Sequence, residues 1–493
     1  MPASPVLSAP EPAAAGRRPA LLLLAALFGL SVLFAVGTTT TYDTGDSINH
    51  YLYSRYAFRH PANFLESWAK PLFVLLTAGP AQLGFVGIKL FNCAVVAAAA
   101  WLAYRVAARL RLPWPWLAVL FTYAAPDYFR IQFSGLTEPL FSLILVAGVW
   151  LAFSNRTGWS AAVMSFLPFV RSEGFLLLGV WAVYLALSRQ WRPLPLLVLG
   201  YLVYSVAGLL VYGDFLWVFT HNAYPYRATQ YGHGDITHYL THLPGVIGLV
   251  LFVLFWMGGI RVLSQWLRPR FRPQPDLFRA ELLLIYGSVV VYCGAHTLFW
   301  WQGIFASFGM VRVLNAMVPL MAIIALNGVQ ALALLAKSAR GQQRVRLGLT
   351  AAVVLFLFTG ARTAFRWQRD FTKAADVRLA DKAGAWFAAA YPGPKPMVVT
   401  EHPYLAEALQ IDPFDKTQRR NISFLRARQP EGPVPPAGSL IFWDDWFSVI
   451  EGGVPLSRLR HNPQYRLRWQ GAKASNLTHP DADSCHLAVF ERL

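Results

Sequence analysis

"YDTGDSINHYLYSRYAFRHPANFLESWAKPLF" occupies residues 42–73, directly after the first strongly apolar segment of the chain. It holds three carboxylates (Asp43, Asp46, Glu66), two histidines, two arginines and Lys70, in a sequence that otherwise avoids charge. The whole chain of 493 residues is 56% hydrophobic and 14% charged, with a mean hydropathy of +0.40. Soluble domains are about 45–50% apolar and about 25% charged. A soluble chain this apolar could not cover its own surface, and repeated apolar runs of about 20 residues predict many transmembrane helices.

Spans are predicted near residues 20–38, 84–104, 113–129, 136–153, 158–171, 174–188, 194–213, 244–263, 280–300, 313–334 and 347–361. No small-residue cleavage pattern follows the first of these, so it reads as an anchored helix rather than a removed signal peptide. Residues 1–19, rich in Ala and Pro, are expected to form a disordered cytoplasmic tail. About eleven crossings place the two termini on opposite sides of the membrane. Two of the spans are unusual. Residues 113–129 carry two early prolines, and 158–170 is a short run ending at Arg171. "FLPFVRSEGFLLL" therefore reads as two short helices meeting at a polar point, which is tolerated where the backbone borders a cavity rather than lipid.

The formal net charge of +18 invites a nucleic-acid reading, but the positions of the charges argue against it. With the N-terminus inside, the cytoplasmic loops collect 17 Lys and Arg, while the outer loops before residue 362 hold seven. That is the positive-inside bias of a multi-pass protein, here of a plasma (inner) membrane. The three cysteines have neither paired nor metal-like spacing, and the sequons at Asn155, Asn421 and Asn476 carry little weight.

Composition changes after residue 361. Residues 362–493 hold 18 Lys and Arg, 14 Asp and Glu, and no long apolar run. Short β-type stretches at 396–400, 439–443 and 486–490, with helical periodicity at 376–391, predict a small extracytoplasmic α/β domain. The expected architecture is an all-α polytopic membrane domain over 20–361 followed by this domain over 362–493.

The polar residues of the membrane part divide unevenly. Asp43, Asp46, Glu66, Asp127, Glu138, Glu173, Asp214 and Asp235 fall on the outer side, as do His50, His60, His221, His233, His238, His242 and His296. Only Glu11, Asp276 and Glu281 fall inside. Ionisable residues at membrane depth are costly and point to function. Solvated loops would explain single residues; an external polar cavity explains the asymmetry. An amphipathic interfacial helix with snorkelling arginines is the other reading of residues 42–73.

"GDSINHYLYSRYAF" and "WAKPLFVLLTAGPAQLG" resemble the first outer loop of the GT-C class of integral-membrane glycosyltransferases. Glycosyltransferase family 39, with its protein O-mannosyltransferase and aminoarabinose-transferase branches, is the most similar. That branch carries an acidic residue after the first span, then a Lys-Pro element opening a juxtamembrane helix; this chain has Asp43 and Asp46, then Lys70, Pro71 and Leu72. "FSGLTEPLFSLIL", "FVRSEG" and "FGMVRVLNAMVPLMAI" continue the similarity in order over residues 20–335. The acidic pair differs from the adjacent Asp-Glu of the mannosyltransferases, and Leu72 replaces one proline. The resemblance implies sugar transfer from a polyprenyl-phosphate-linked donor to a lipid, glycan or protein acceptor on the extracytoplasmic side.

That chemistry needs a base for the incoming hydroxyl and cations for the leaving phosphate. A carboxylate within hydrogen-bond reach is the usual base; Asp46 is assigned here, with Asp43 as its substitute. Lys70 and Arg312 lie at the same expected depth and suit a lipid phosphate. Glu138 either positions the acceptor or holds Arg171 or Lys70. In the outer loop 221–242, His221 and Tyr224 are expected to line the donor pocket. The four histidines of that loop, with Glu66 or Asp235, are candidate metal ligands by type but not by spacing, so no cofactor is implied. The rival reading is a lipid-linked saccharide flippase. Transporters usually show repeats and midplane charge, whereas charge here gathers at one face. Residues 42–73 thus read as the floor of an outward-facing active site.

Overall fold

The computed structural model describes residues 16–39, 41–221, 231–268, 274–335, 338–370, 373–426, 430–474 and 484–493. The chain divides into two compact units, Met1–Val36 with Ala62–Arg366 and Gly37–Pro61 with Trp367–Leu493.

The first unit is helical. Among the described residues, seven helices are long and apolar enough to cross a membrane: Arg17–Gly37, Phe85–Arg109, Leu194–Tyr212, Leu249–Leu267, Pro275–Gln302, Val311–Leu335 and Arg340–Gly360. Glu138–Phe153 and Gly174–Leu187 are apolar but shorter. The span expected over 113–129 is two short helices, Leu117–Tyr123 and Pro126–Ile131. Between them Ala125 is extended, the conformation a following proline imposes. Residues 158–171 likewise hold the helix Thr157–Met164 and a single 3-10 turn, Leu167–Phe169. Near 244–263, Gly248 at φ +82° ends the helix His238–Ile247 and starts Leu249–Leu267.

Large apolar side chains such as Leu22, Leu33, Leu210 and Val290 are exposed on these helices. Helices with apolar surface outside and backbone bonds satisfied inside suit a hydrocarbon solvent. Val318–Leu335 is the inner post, buried without a break over residues 318–329. Its neighbour Leu249–Leu267 approaches so closely that a Cβ on Gly258 would lie 2.0 Å from the Ile324 carbonyl oxygen. One on Gly328 would lie 2.0 Å from the Leu254 carbonyl oxygen. Small residues permit such contact where helix association depends on close van der Waals packing.

The second unit contains a five-stranded sheet of β1 (Val398–Val399), β2 (Arg419–Arg420), β3 (Leu440–Asp444), β4 (Tyr465–Ala474) and β5 (Ser484–Arg492), in the order β2-β1-β3-β5-β4. β1 runs parallel to β2 and β3, while β5 is antiparallel to both β3 and β4. The helix Ala375–Ala390 packs on β4 and β5. Val399, Ile422, Ile441, Trp443, Val454 and Phe490 form an apolar core. The helix Asp46–Arg55 belongs to this unit, and its Tyr53 ring lies 4.7 Å from that of Phe414.

Candidate active site

In the first unit, five ionisable side chains from four parts of the chain converge. Glu138 opens the helix Glu138–Phe153 and is 1% exposed. Arg171 Nη1 lies 2.8 Å from Glu138 Oε1, off the N–H direction, so the contact is an ion pair rather than an aligned hydrogen bond. Arg171 Nη2 donates to Glu173 Oε1 at 3.0 Å, and Nη1 donates to the Thr137 hydroxyl at 3.3 Å. Arg312 Nε reaches Glu138 Oε1 at 3.6 Å, and His296 Nε2 reaches Glu173 Oε1 at 3.2 Å. Tyr292 stacks edge-on against His296 with centroids 4.6 Å apart, and its hydroxyl donates to the Val313 carbonyl. That bond ties the helix Ser288–Gln302 to the 3-10 segment Val311–Met317 bearing Arg312.

Lys70 joins the cluster through Ser172, to whose hydroxyl its ammonium donates at 2.9 Å. It is buried, and its backbone is held at φ +70° just before Pro71, which begins the helix Pro71–Thr77. A non-glycine residue in that region costs on the order of 1–3 kcal/mol, and such strain collects at functional sites. Burial pushes the Lys70 ammonium down to about 8, against the opposing pull of Glu173. Burial alone would raise the Glu173 carboxyl. Arg171 and His296 outweigh it and hold that group well below the usual carboxylate range. The arrangement thus has one guanidinium fixed by two carboxylates, with Lys70 and Arg312 beside it. Glu138 Oε2 makes no hydrogen bond among the described residues, which leaves an acceptor buried in the cluster.

The structure therefore brings together Glu138, Arg171, Arg312 and Lys70 from the sequence-derived set. His221 is not among them: its ring lies 3.9 Å from Asp214 and stacks on Tyr212. Tyr224 lies outside the described residues. Asp43 and Asp46 belong to the second unit. Asp43 Oδ1 accepts from the N–H groups of Gly45 and Ser47 at 3.1 and 3.0 Å, capping the helix that Asp46 begins. Ser172, Glu173 and His296 were given no role from the sequence. The signal was there in "RSE", a polar triplet with opposite charges at its ends, between two apolar runs.

Of the loop histidines, His238 Nε2 bonds the Gly309 carbonyl and His242 Nδ1 bonds the His238 carbonyl. Among the described residues, no group of three His, Cys, Asp or Glu side chains gathers in a way that could hold a metal ion.

No family model matches the sequence, and no curated protein matches it. Solved structures do match. ArnT from Cupriavidus metallidurans bound to undecaprenyl phosphate is similar over 96% of this chain and 98% of its own, with a TM-score of 0.59 at 11% identity. Its apo form has a TM-score of 0.58 at 13% identity over the same shares, 96% and 98%. The apo oligosaccharyltransferase of Archaeoglobus fulgidus is similar over 82% of this chain and 64% of its own, with a TM-score of 0.51 at 10% identity. At these identities the likeness is one of architecture. Both proteins are GT-C glycosyltransferases. This chain has the fold of the GT-C integral-membrane glycosyltransferases.

Proposed function

We propose that this protein is a glycosyltransferase that moves a hexosyl or pentosyl group from a polyprenyl-phosphate-linked donor to an acceptor on the extracytoplasmic side. The observation that carries this reading is the gathering of buried Lys70 and Arg312 and half-buried Arg171 around Glu138 and Glu173. Cations taken out of water need anionic partners. Glu138 and Glu173 fix Arg171, and in this reading Lys70 and Arg312, beside it, turn to the donor phosphate when it binds. The fold is the one found in ArnT bound to undecaprenyl phosphate, which supports a polyprenyl phosphate as the donor class. The helices cross an inner membrane about eleven times, with the N-terminus cytoplasmic and residues 362–493 outside.

In the reaction, the acceptor hydroxyl oxygen forms a bond to the anomeric carbon of the donor sugar. The bond from that carbon to the phosphate oxygen breaks, and its electron pair leaves with the polyprenyl phosphate. Lys70 and Arg312 stabilise the charge developing there, a term that is large when donors are preorganised in a dry site. Asp46 takes the proton from the attacking hydroxyl. Asp43, engaged by two backbone N–H groups, holds the start of the Asp46–Arg55 helix. Glu138 Oε2 remains to accept from a substrate hydroxyl.

Purified protein supplied with radiolabelled polyprenyl-phosphate sugars and a membrane-lipid extract tests the proposal. Label should leave one donor in a protein-dependent manner and appear on an acceptor. Label that stays on every donor of the panel, with folded protein, would overturn it.

A further inference from the structure

The second unit contains a pocket of its own. Its lining includes Asp376, His402, Asp444, Trp446, Phe447 and His486, around an open volume of about 280 Å³. The enclosed space it offers is small, about that of one water-sized group, and the rest is open to solvent. Asp376 and His402 form the floor and are 8% and 2% exposed. His402 Nε2 lies 3.8 Å from Asp376 Oδ2, too far for a hydrogen bond but spaced for a bridging oxygen. Neither His402 Nε2 nor Asp376 Oδ1 has a hydrogen-bond partner among the described residues.

The chemistry of these two atoms is fixed by their other contacts. His402 Nδ1 accepts from the Tyr404 N–H at 3.3 Å, so the proton of the neutral ring is on Nε2 and points toward Asp376. A metal would need the Nε2 lone pair, and moving the proton to Nδ1 would set two N–H groups against each other. Asp376 Oδ2 accepts from the Thr44 hydroxyl at 3.3 Å, and the carboxylate keeps acceptor capacity beyond that bond. Asp444 accepts from the N–H groups of Trp446, Phe447 and Ser448, so it shapes the wall rather than meeting a ligand. Trp446 and Phe447 are half-buried, and Phe447 packs 4.8 Å from the His402 ring.

A donor and an acceptor at bridging distance call for a group that accepts and donates at once, which is a hydroxyl. An aromatic wall beside them offers an apolar face to a ring. We propose that this pocket binds a saccharide unit: one hydroxyl inserts between Asp376 and His402, accepting from Nε2–H and donating to the Asp376 carboxylate, while the sugar ring lies against Trp446 and Phe447. The ligand would then share Asp376 with Thr44, which stands two residues before Asp46, so occupancy would bear on the segment that starts the Asp46–Arg55 helix.

Saturation-transfer NMR of the full-length protein in lipid nanodiscs tests the site, using methyl glycosides of glucose, galactose, mannose and N-acetylglucosamine as probes. At least one should receive protein-dependent saturation. Asp376→Asn should weaken that binding by about tenfold or more, the factor expected when a bond to a charged group is lost, and Trp446→Ala, which removes the face the ring lies against, should weaken it about tenfold. Lys70→Met, altered only in the first unit, should leave it unchanged. Saturation of no glycoside would overturn the proposal, as would binding kept in folded Trp446→Ala or lost in Lys70→Met. Should Asp376→Asn fail to fold, Trp446→Ala decides. Glycoside binding that persists in a chain inactive with every donor would sink the transferase reading and leave this site standing.

Discussion

His60 Nε2 lies 2.9 Å from Asp412 Oδ2, joining residues 352 positions apart. Arg59 Nη1 donates to the same oxygen at 3.1 Å, and the Tyr56 hydroxyl donates to the Ile411 carbonyl at 3.3 Å. The segment that carries Asp43 and Asp46 is thus stitched to residues 411–414. Asp412→Ala should free it. The loss of hydrogen bonds to a charged group costs about 1.5–3 kcal/mol, seen as faster proteolysis within residues 37–61. Burial alone would raise the Asp412 carboxyl, but the bonds from His60, the Phe414 N–H and Arg59 hold it below its ordinary value. A carboxyl depressed on folding stabilises above its unfolded pKa and ceases to as pH falls through the folded value. Protection of this segment should therefore decline below about pH 4. Proteolysis unaltered by the substitution would remove Asp412 as its anchor.

Lys70→Met and Arg312→Met should each raise the donor KM by about tenfold or more, the equivalent of a lost charge-assisted bond. The protonated lysine is the form that binds phosphate. With its ammonium brought down to about 8 by burial, donor affinity should weaken as pH rises through that value. A donor KM that stays flat between about pH 7 and about pH 9.5, near the free lysine value of about 10.4, would exclude Lys70 from phosphate binding.

Asp46→Asn keeps the size of the side chain and removes its basicity. Turnover should fall by roughly 10²–10⁴-fold, the usual contribution of a general base, with donor binding intact. Asp43→Asn retains an oxygen that caps as well as aspartate does, so turnover should stay within about tenfold. If Asp43→Asn is the dead variant, the two roles exchange.

Gly258→Val and Gly328→Val place a side chain against a backbone carbonyl. Each should lower the melting temperature in detergent by the equivalent of about 1–3 kcal/mol or more. Gly259→Val, where nothing lies within 4 Å of an added Cβ, is the matched control and should be nearly neutral. Equal effects at 258 and 259 would refute the close helix contact.

A reporter active only outside the cytoplasm, fused after Leu493, should be active. The 17-to-7 distribution of Lys and Arg, across the odd number of crossings expected from the sequence, motivates the prediction. Activity of a cytoplasm-only reporter at the same point would reverse the orientation and move the proposed site to the wrong face.

By itself the sequence determined the membrane character and the place of the polar Arg171–Glu173 segment between two apolar runs. Each of these depends on local run length and composition. It also located β1, β3 and β5, whose apolar stretches are short and β-branched or aromatic. β4 went unread although Tyr465, Leu467 and Trp469 alternate with Arg466, Arg468 and Gln470, because exposed charge on one face masks a half-buried strand. Only the tertiary structure decided which ions pair. Lys70 meets Ser172 across 102 positions, and His296 meets Glu173 from another helix. It alone showed that residues 37–61 form one compact unit with the C-terminal residues, and that Asp376, His402 and Trp446 line one pocket. Such partnerships arise where separate elements bury polar groups together. Their cost is met by contacts between distant segments, which no local periodicity encodes.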